Sequence, residues 1–309
     1  MAKLATVLYH RADFDGLLSG AVCFHNLQKE GFEVDLIGWD YGDPIPSVDH
    51  DRTLYMVDLC VDQLMTHPFL VWIDHHASAI RKINLPVPGY QLDGVAACRL
   101  CYQWFKRLDV MSKGHQCDLK QDKNWFLTRS VSEPTIIMLA GEYDVWDLRD
   151  NRSTLLQYGL TASFVGEDPN ETAKHLAGIV YGELVEQLTV DLIRDGIPAQ
   201  KWHKALAKAV LDDYGYIVEF EGKRFLTLCS SHVRGSLWFE NPKKDLEFDA
   251  LMSVRLSGKG TASISLYRKE GDTESDLSMI ATLFGGGGHK GACGFQLSLE
   301  DAVKYHLVQ

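Results

Sequence analysis

His10, Asp13 and Asp15 fall within one six-residue stretch, HRADFD, and Asp74, His75 and His76 are consecutive in WIDHHAS. Asp58 closes the stretch MVD, and Asp144 closes GEYD. Imidazoles and carboxylates are the side chains that hold divalent cations without thiolate help. If Asp13, Asp15, Asp58, Asp74 and Asp144 are buried together without counter-charge, they repel one another and raise one another's pKa values. Cations remove that conflict. A carboxylate-rich set with imidazole suits Mn²⁺ best, with Mg²⁺, Co²⁺ or Zn²⁺ as substitutes. Two such ions, roughly 3.5 to 4 Å apart and bridged by one carboxylate, can activate a water and clamp a phosphoryl group. Phosphoester hydrolysis is therefore the first reaction class to consider. Any one of these stretches alone reads equally as a polar surface turn; only elements that bring them together would make a site.

The segments LATVLYH (4–10), EVDLIGW (33–39), LYMVD (54–58) and FLVWID (69–74) read as strands, and GLLSGAVCFHNLQKEG (16–31) reads as a helix. A helical pattern covers 94–108, and PTIIMLAGEYD (134–144) reads as another strand-like run. This alternation predicts an α/β fold, with a mostly parallel, doubly wound N-terminal sheet and helices on both faces. Ligands bind such sheets at the carboxyl edge. Four strand-like segments stop there on candidate ligands: His10, Asp13 and Asp15 after the first, Asp58, then Asp74 to His76, then Asp144. A helix beginning at Gly16 would turn its free N–H groups to the same edge and favour an anion. Its small residues Gly16, Ser19, Gly20 and Ala21 would let it lie close to the sheet. The stretch 109–125 is polar and reads as an exposed loop.

From 170 the pattern is helical through AQKWHKALAKAVLDDYG, and beyond it the chain turns β-rich. The expected organisation is a metal-binding domain over 1–195, a helical linker over 196–211 and a smaller C-terminal α+β domain over 212–309. YIVEFEGKRFLTLC reads as a hairpin turned at Glu221 to Lys223, and DALMSVRLSGKGTASISLYR as one turned at Ser257 to Gly260. A helix over 274–284 then runs into the glycines 285–288.

With 309 residues, 46% hydrophobic and 24% charged, the chain can bury two cores of ordinary size. A net charge of −11 argues against binding long duplex nucleic acid, which needs a basic stripe. No apolar run reaches membrane-spanning length and the first residues lack a signal-peptide core, so the expected location is the cytoplasm, with no membrane partner. Cys98 and Cys101 stand at helical spacing beside Val95, Leu100 and Trp104. They read as core packing, because no second pair completes a zinc site. The sequence is compatible with a homodimer.

HRADFDG, MVDLC, WIDHHAS and GEYDVWD, in this order, resemble the four motifs of the DHH phosphoesterase superfamily. FGGGGHKGACGF (284–295) resembles the signature of that superfamily's DHH-associated C-terminal domain. Within it, EYDVW and the glycine run most resemble the nano-RNase group, which contains oligoribonucleases and proposed cyclic-nucleotide phosphodiesterases. The resemblance implies one metal held by His10, Asp13 and Asp58, and a second by Asp15, Asp58, His75 and Asp144, with Asp58 as the bridge. It places His76 beside the scissile phosphate as charge stabiliser or proton donor, with Asp74 orienting a histidine from behind. Asp147 is the rival of Asp144 for the fourth motif. Gly286, Gly287, Gly288 and His289 read as a phosphate or sugar cradle, although a helix C-cap explains one or two of the glycines. Arg268 could fork a terminal phosphate, and His232 and Arg234 are further candidates. Trp39, Tyr41 and Trp146 are candidates for stacking bases. The expected substrate is a short RNA or a small nucleotide. A cyclic mono- or dinucleotide, pAp, or a sensor role without turnover are the alternatives.

Overall fold

The computed structural model describes residues 3–83, 85–111, 123–128, 131–230, 235–239, 246–258 and 260–308, and no side chains over 107–111. His232 and Arg234 lie outside the described residues, as does 112–122 of the expected polar loop. The chain divides into two compact units, Met1–His76 with Ile80–Ala199, and Ala77–Ala79 with Gln200–Gln309.

The first unit is built on four parallel strands, β1 (Lys3–His10), β2 (Phe32–Trp39), β3 (Thr53–Val57) and β4 (Leu70–Ile73), in the order β2-β1-β3-β4. Helix α1 (Phe14–Lys29) crosses from β1 to β2. It is followed along the chain by α2 (Ala77–Lys82), α3 (Ala97–Met111), α4 (Lys123–Thr128), α5 (Thr135–Asp144), α6 (Arg152–Phe164), α7 (Pro169–Val180) and α8 (Val185–Tyr214). Strand β1 is buried from Ala5 to Tyr9, and its alternation sorts the core. Ala5, Val7 and Tyr9 join Leu17, Leu18, Ala21 and Val22 of α1 and Leu100 of α3 in one cluster. Leu8 of β1, with Leu54, Met56 and Trp72, is buried outside that cluster. The segment after β3 packs on these residues, since the Trp72 indole donates to Leu59 O at 2.9 Å.

Small residues set how closely α1 lies on the sheet. A β-carbon at Gly16 would sit 1.9 Å from the His10 carbonyl oxygen, and one at Gly20 would sit 2.8 Å from the Tyr9 ring. The free edge of β4 is lined by Pro88 to Leu92: Trp72 N–H donates to Pro88 O, Asp74 N–H to Tyr90 O, and Leu92 N–H to Asp74 O. Cys98 and Cys101 are buried free thiols in α3, as core packing requires.

Two sequence expectations are corrected in this unit. The apolar run at 135–144 is not a strand but the helix α5, with Ile136, Ile137, Leu139 and Ala140 buried. A short segment that is apolar all round gives no period to separate helix from buried strand. Both ends of the expected loop 109–125 are helical: residues 109–111 complete α3, and 123–125 open α4.

The second unit contains the later part of α8 and a six-stranded mixed sheet in the order β5-β6-β7-β8-β10-β9. Its strands are β5 (Tyr216–Phe220), β6 (Lys223–Cys229), β7 (Ala250–Leu256), β8 (Thr261–Arg268), β9 (Gly287–Gly288) and β10 (Ala292–Ser298). Helices α9 (Ser278–Leu283) and α10 (Leu299–Lys304) accompany them. Both expected hairpins form, and the first turns on Glu221 and Gly222, each at positive φ as a tight two-residue turn requires. The helix expected over 274–284 is confined to 278–283. Asp272 accepts N–H bonds from Glu274 and Ser275, and this local turn competes with helix. Phe220, Phe225, Met252, Ile264, Leu266 and Phe295 form the core here. Among the described residues, no helix is long and apolar enough to cross a membrane.

Candidate metal centre

Parallel pairing sets the strand ends side by side. Tyr9 pairs with Val57, and Val57 with Ile73, so His10, Asp58 and Asp74 each leave the sheet at the same edge. Asp58 takes a left-handed backbone (φ 58°) while its N–H still donates to Ile73 O at 2.9 Å. A non-glycine residue in that region is strained, and the strain holds a buried carboxylate in the middle of the edge. Asp13 caps α1, accepting the Gly16 N–H at 3.0 Å. One N–H of the α1 terminus is therefore taken by the chain's own carboxylate. Asp15, in the first turn, is fixed by another helix start: Ala97 and Cys98 N–H, opening α3, each donate to it at 2.8 Å. Asp144 arrives as the last residue of α5.

The side chains converge in two overlapping sets. His10 Nδ1 lies 3.1 Å from Asp13 Oδ2 and 3.5 Å from Asp58 Oδ2. His75 Nε2 lies 3.2 Å from Asp58 Oδ1, 3.4 Å from Asp15 Oδ2 and 3.3 Å from Asp144 Oδ2. Asp58 belongs to both sets, one oxygen toward each. In His10, Asp13 and Asp58, and in Asp15, Asp58 and His75, the donor atoms all lie within 4.8 Å of one another. Asp74 Oδ1 receives the N–H groups of His75 (2.8 Å) and His76 (3.2 Å) and contacts His76 Nδ1 at 2.7 Å. The histidine that Asp74 orients is thus His76. Asp147 is turned away to Arg149 at 3.1 Å and is not among these contacts, which favours Asp144 over its rival.

Electrostatics sharpen the fit to a cation. An imidazole nitrogen carries at most one hydrogen, yet three carboxylate oxygens crowd His75 Nε2. Asp58 Oδ1 and Asp144 Oδ2 are buried with no hydrogen-bond donor among the described residues. Burial and the neighbouring Asp58 charge push Asp15 up to about 7. Burial, then the charges of Asp15 and Asp58, holds Asp144 well above the carboxylate range. Asp58 is raised by burial and Asp13. Burial also acts upward on Asp13, but the His10 imidazole and the Gly16 N–H bring it down to about 2. His76 is lifted to about 9 because the Asp74 carboxylate outweighs burial. A cluster that must take up protons to relieve its own repulsion, with inward oxygens lacking donors, has the chemistry of an oxygen- and nitrogen-lined divalent cation site.

Sequence reasoning missed Asp40. It follows β2 directly, and its Oδ1 lies 3.5 Å from His10 Nε2. The rule that selected the other residues, a carboxylate at the end of a strand, applies to it equally. Among the stacking candidates, Trp39 is buried and donates to Pro44 O. Tyr41 is 48% exposed and stands edge-on to His10, whereas Trp146 is 54% exposed with φ 55°.

The residues assigned to substrate all lie in the second unit. Gly285 (φ 76°) and Gly286 end α9, donating to Thr282 O and Ala281 O in a Schellman arrangement. A β-carbon at Gly286 would meet Gly294 O at 2.0 Å, and Gly288 (φ 126°) has Cys293 Cα 2.7 Å from the same position. Gly287 and Gly288 pair with β10, and His289 N–H donates to Ala292 O. Packing and turn geometry thus account for Gly285, Gly286 and Gly288 before any ligand is considered. Arg268 Nε donates to Ser275 O at 2.5 Å, which ties down the loop before α9.

No protein-family model and no curated protein matches the sequence. Solved structures do match along nearly the whole chain. An exopolyphosphatase-related protein from Bacteroides fragilis is similar at 13% identity and a TM-score of 0.51, over 99% of this chain and 90% of that one. The DHH domain of a member of a family of ribosomal proteins is similar at 13% identity and a TM-score of 0.51, over 98% and 84%. A pGpG-specific phosphodiesterase from Vibrio cholerae aligns at 12% identity and a TM-score of 0.43, over 98% and 96%.

Proposed function

The chain has a DHH fold, and from that premise we propose that it is a divalent-metal-dependent phosphoesterase acting on short RNA oligonucleotides or small nucleotides. The observation that carries this reading is the convergence of His10, Asp13, Asp15, Asp58, His75 and Asp144 at one edge, with Asp58 shared between two sets of donors. His10, Asp13 and Asp58 would hold one ion, and Asp15, Asp58, His75 and Asp144 a second, with Mn²⁺ the metal best suited to the set. Ions bound there would supply positive charge to the phosphoryl oxygens and to the attacking water.

The remaining work falls to the chain's own groups. Asp74, buried and within 2.7 Å of His76 Nδ1, holds that ring in one orientation and favours a proton on it. His76 can then stabilise charge on the phosphorus oxygens or give its proton to the departing oxygen as the P–O bond breaks. The acid-rich surface, with its net charge of −11, favours short substrates over long polymers. We assign substrate contacts to Gly286, Gly287, Gly288, His289 and Arg268, an assignment that rests on the resemblance.

The test is incubation of the protein with Mn²⁺ and a 5′-phosphorylated RNA dinucleotide, beside a cyclic mononucleotide, a cyclic dinucleotide and pAp at equal concentration. The proposal expects mononucleotide release from the dinucleotide, abolished by chelator and by Asp58→Ala. Faster turnover of a cyclic substrate or pAp would move the substrate class and keep the chemistry. Tight nucleotide binding with no product would contradict an enzyme and point to a sensor.

A further inference from the structure

We propose that Asp40 is a positioning residue of the metal centre, fixing the ring orientation and tautomer of His10 from the side away from the ions. The inference rests on the metal-centre reading above and concerns a residue outside its ligand set. His10 offers two nitrogens to two different surroundings. Nδ1 faces the ligand carboxylates, 3.1 Å from Asp13 Oδ2 and 3.5 Å from Asp58 Oδ2. Nε2 faces Asp40 Oδ1 at 3.5 Å. A neutral imidazole carries its single hydrogen on one nitrogen and a lone pair on the other. Carboxylates face both nitrogens, so an ion among the Nδ1-side donors would decide between them: it would require the lone pair on Nδ1, and Asp40 then receives the hydrogen at Nε2. Metal-bound histidines are commonly held in this way by a carboxylate on the far nitrogen.

Asp40 is itself braced, which makes it a support rather than a mobile surface acid. Its N–H donates to Asp43 Oδ2 at 3.0 Å, and its Oδ1 accepts the Tyr41 N–H at 2.8 Å. Asp43 is gripped by Arg11, the residue after His10, through Nε at 3.2 Å and Nη2 at 2.8 Å. Arg11 N–H in turn donates to Trp39 O at 3.1 Å. Tyr41 adds an edge-on contact to the His10 ring, with centroids 6.0 Å apart. The loop after β2 and the residues after β1 therefore form one closed set of contacts around the outer face of His10.

The experiment measures Mn²⁺ affinity by calorimetric titration of the metal-free full chain, for wild type, Asp40→Ala, Asp40→Asn and Asp35→Asn. Thermal midpoints are taken in chelator for each. Asp35 lies on β2, the strand that Asp40 follows, is 60% exposed and pairs with Arg52 at 2.8 Å, so it controls for the loss of one negative charge. Asp40→Ala is expected to weaken the more affected site about 10- to 100-fold, the usual scale for such supporting partners. Asp40→Asn, which can still accept the Nε2–H, should lose less, and Asp35→Asn should match wild type. Midpoints in chelator should stay level, which a purely structural role would not allow. Wild-type affinity in both Asp40 variants overturns the proposal while leaving the metal centre standing. Failure of wild type to bind Mn²⁺ overturns the metal reading and this inference together. If Asp40→Ala does not fold, Asp40→Asn decides: the proposal requires weakened binding there, and unchanged binding overturns it.

Discussion

The carboxyl edge of the first unit and the sheet of the second treat polar groups in opposite ways. At the edge, Asp15, Asp58, Asp74 and His75 are all within 3% of complete burial, several inward atoms lack donors, and the central residue is held at φ 58°. In the second unit two buried polar side chains find local partners: Thr227 donates to Phe225 O, and Ser278 donates to Asp276. Thr227 and Ser278 are satisfied by neighbours two residues away, whereas the acids of the edge are left in want of positive charge. A fold that carries the second kind of region gives up stability for it, and such concessions are where function is found.

The comparison breaks most visibly at Asp58. Asp58→Asn should cost about 10²- to 10³-fold or more in phosphoester turnover, since a charge-stabilising group at the centre is lost. The same change should raise the stability of the metal-free chain by about 1 kcal/mol, because asparagine tolerates a left-handed backbone and carries no charge. Parallel assays of hydrolysis and of chemical denaturation in chelator check both; a loss of metal-free stability would mean that the edge is not strained as described. Asp74→Asn should lower kcat about 10²-fold or more with Mn²⁺ affinity held, because asparagine keeps an oxygen for the His75 N–H but loses the charge that favours a proton on His76. Equal losses in binding and turnover would place Asp74 among the ligands instead.

Next in size is Gly16→Ala. The added β-carbon, 1.9 Å from the His10 carbonyl, should destabilise the chain by about 2 to 4 kcal/mol in urea denaturation with no change of slope. A wild-type midpoint would show that α1 need not lie so close.

Stability against pH separates the two regions further. Asp15 has its folded pKa pushed up to about 7, above its unfolded value, so it binds more protons folded than unfolded. Asp58 and Asp144 are raised in the same direction. In chelator, stability should therefore fall as pH rises from about 4 to 7. Asp13, lowered to about 2, works the other way, and its contribution is lost only below about pH 4. Thermal midpoints at pH 5 and pH 8 should differ in chelator and draw together in Mn²⁺; no narrowing with metal would contradict the account. At the small end stands Lys208→Ala in the second unit, which breaks an exposed pair with Asp212 on α8. A change within about 0.5 kcal/mol is expected by denaturation.

Much of this edge was legible in the sequence because strands announce themselves by apolar runs and stop on polar residues. His10, Asp58, Asp74, His75 and His76 follow from that rule and from parallel pairing alone. Asp144 meets the other acids at this edge as the last residue of a helix and not of a strand, since Ile136 to Ala140 are apolar whether the chain is extended or coiled. The hold of Ala97 and Cys98 on Asp15 was beyond reach, being a contact between elements 82 residues apart with no local signal. Asp13 claiming the N–H of Gly16 is a local capping pattern that could have been read, and Asp40 sat at a strand end in plain view. Three of the four glycines illustrate the converse, since a helix cap and close backbone contacts require Gly285, Gly286 and Gly288 whether or not a ligand binds there.

Under the proposed function, one buried carboxylate, Asp58, would serve two cation sites. Calorimetric titration of the metal-free wild type and of Asp58→Asn with Mn²⁺ tests it directly. The account predicts two ions bound per wild-type chain and both sites lost or severely weakened in the variant. No binding by wild type, or the same two-site isotherm in Asp58→Asn, would contradict it.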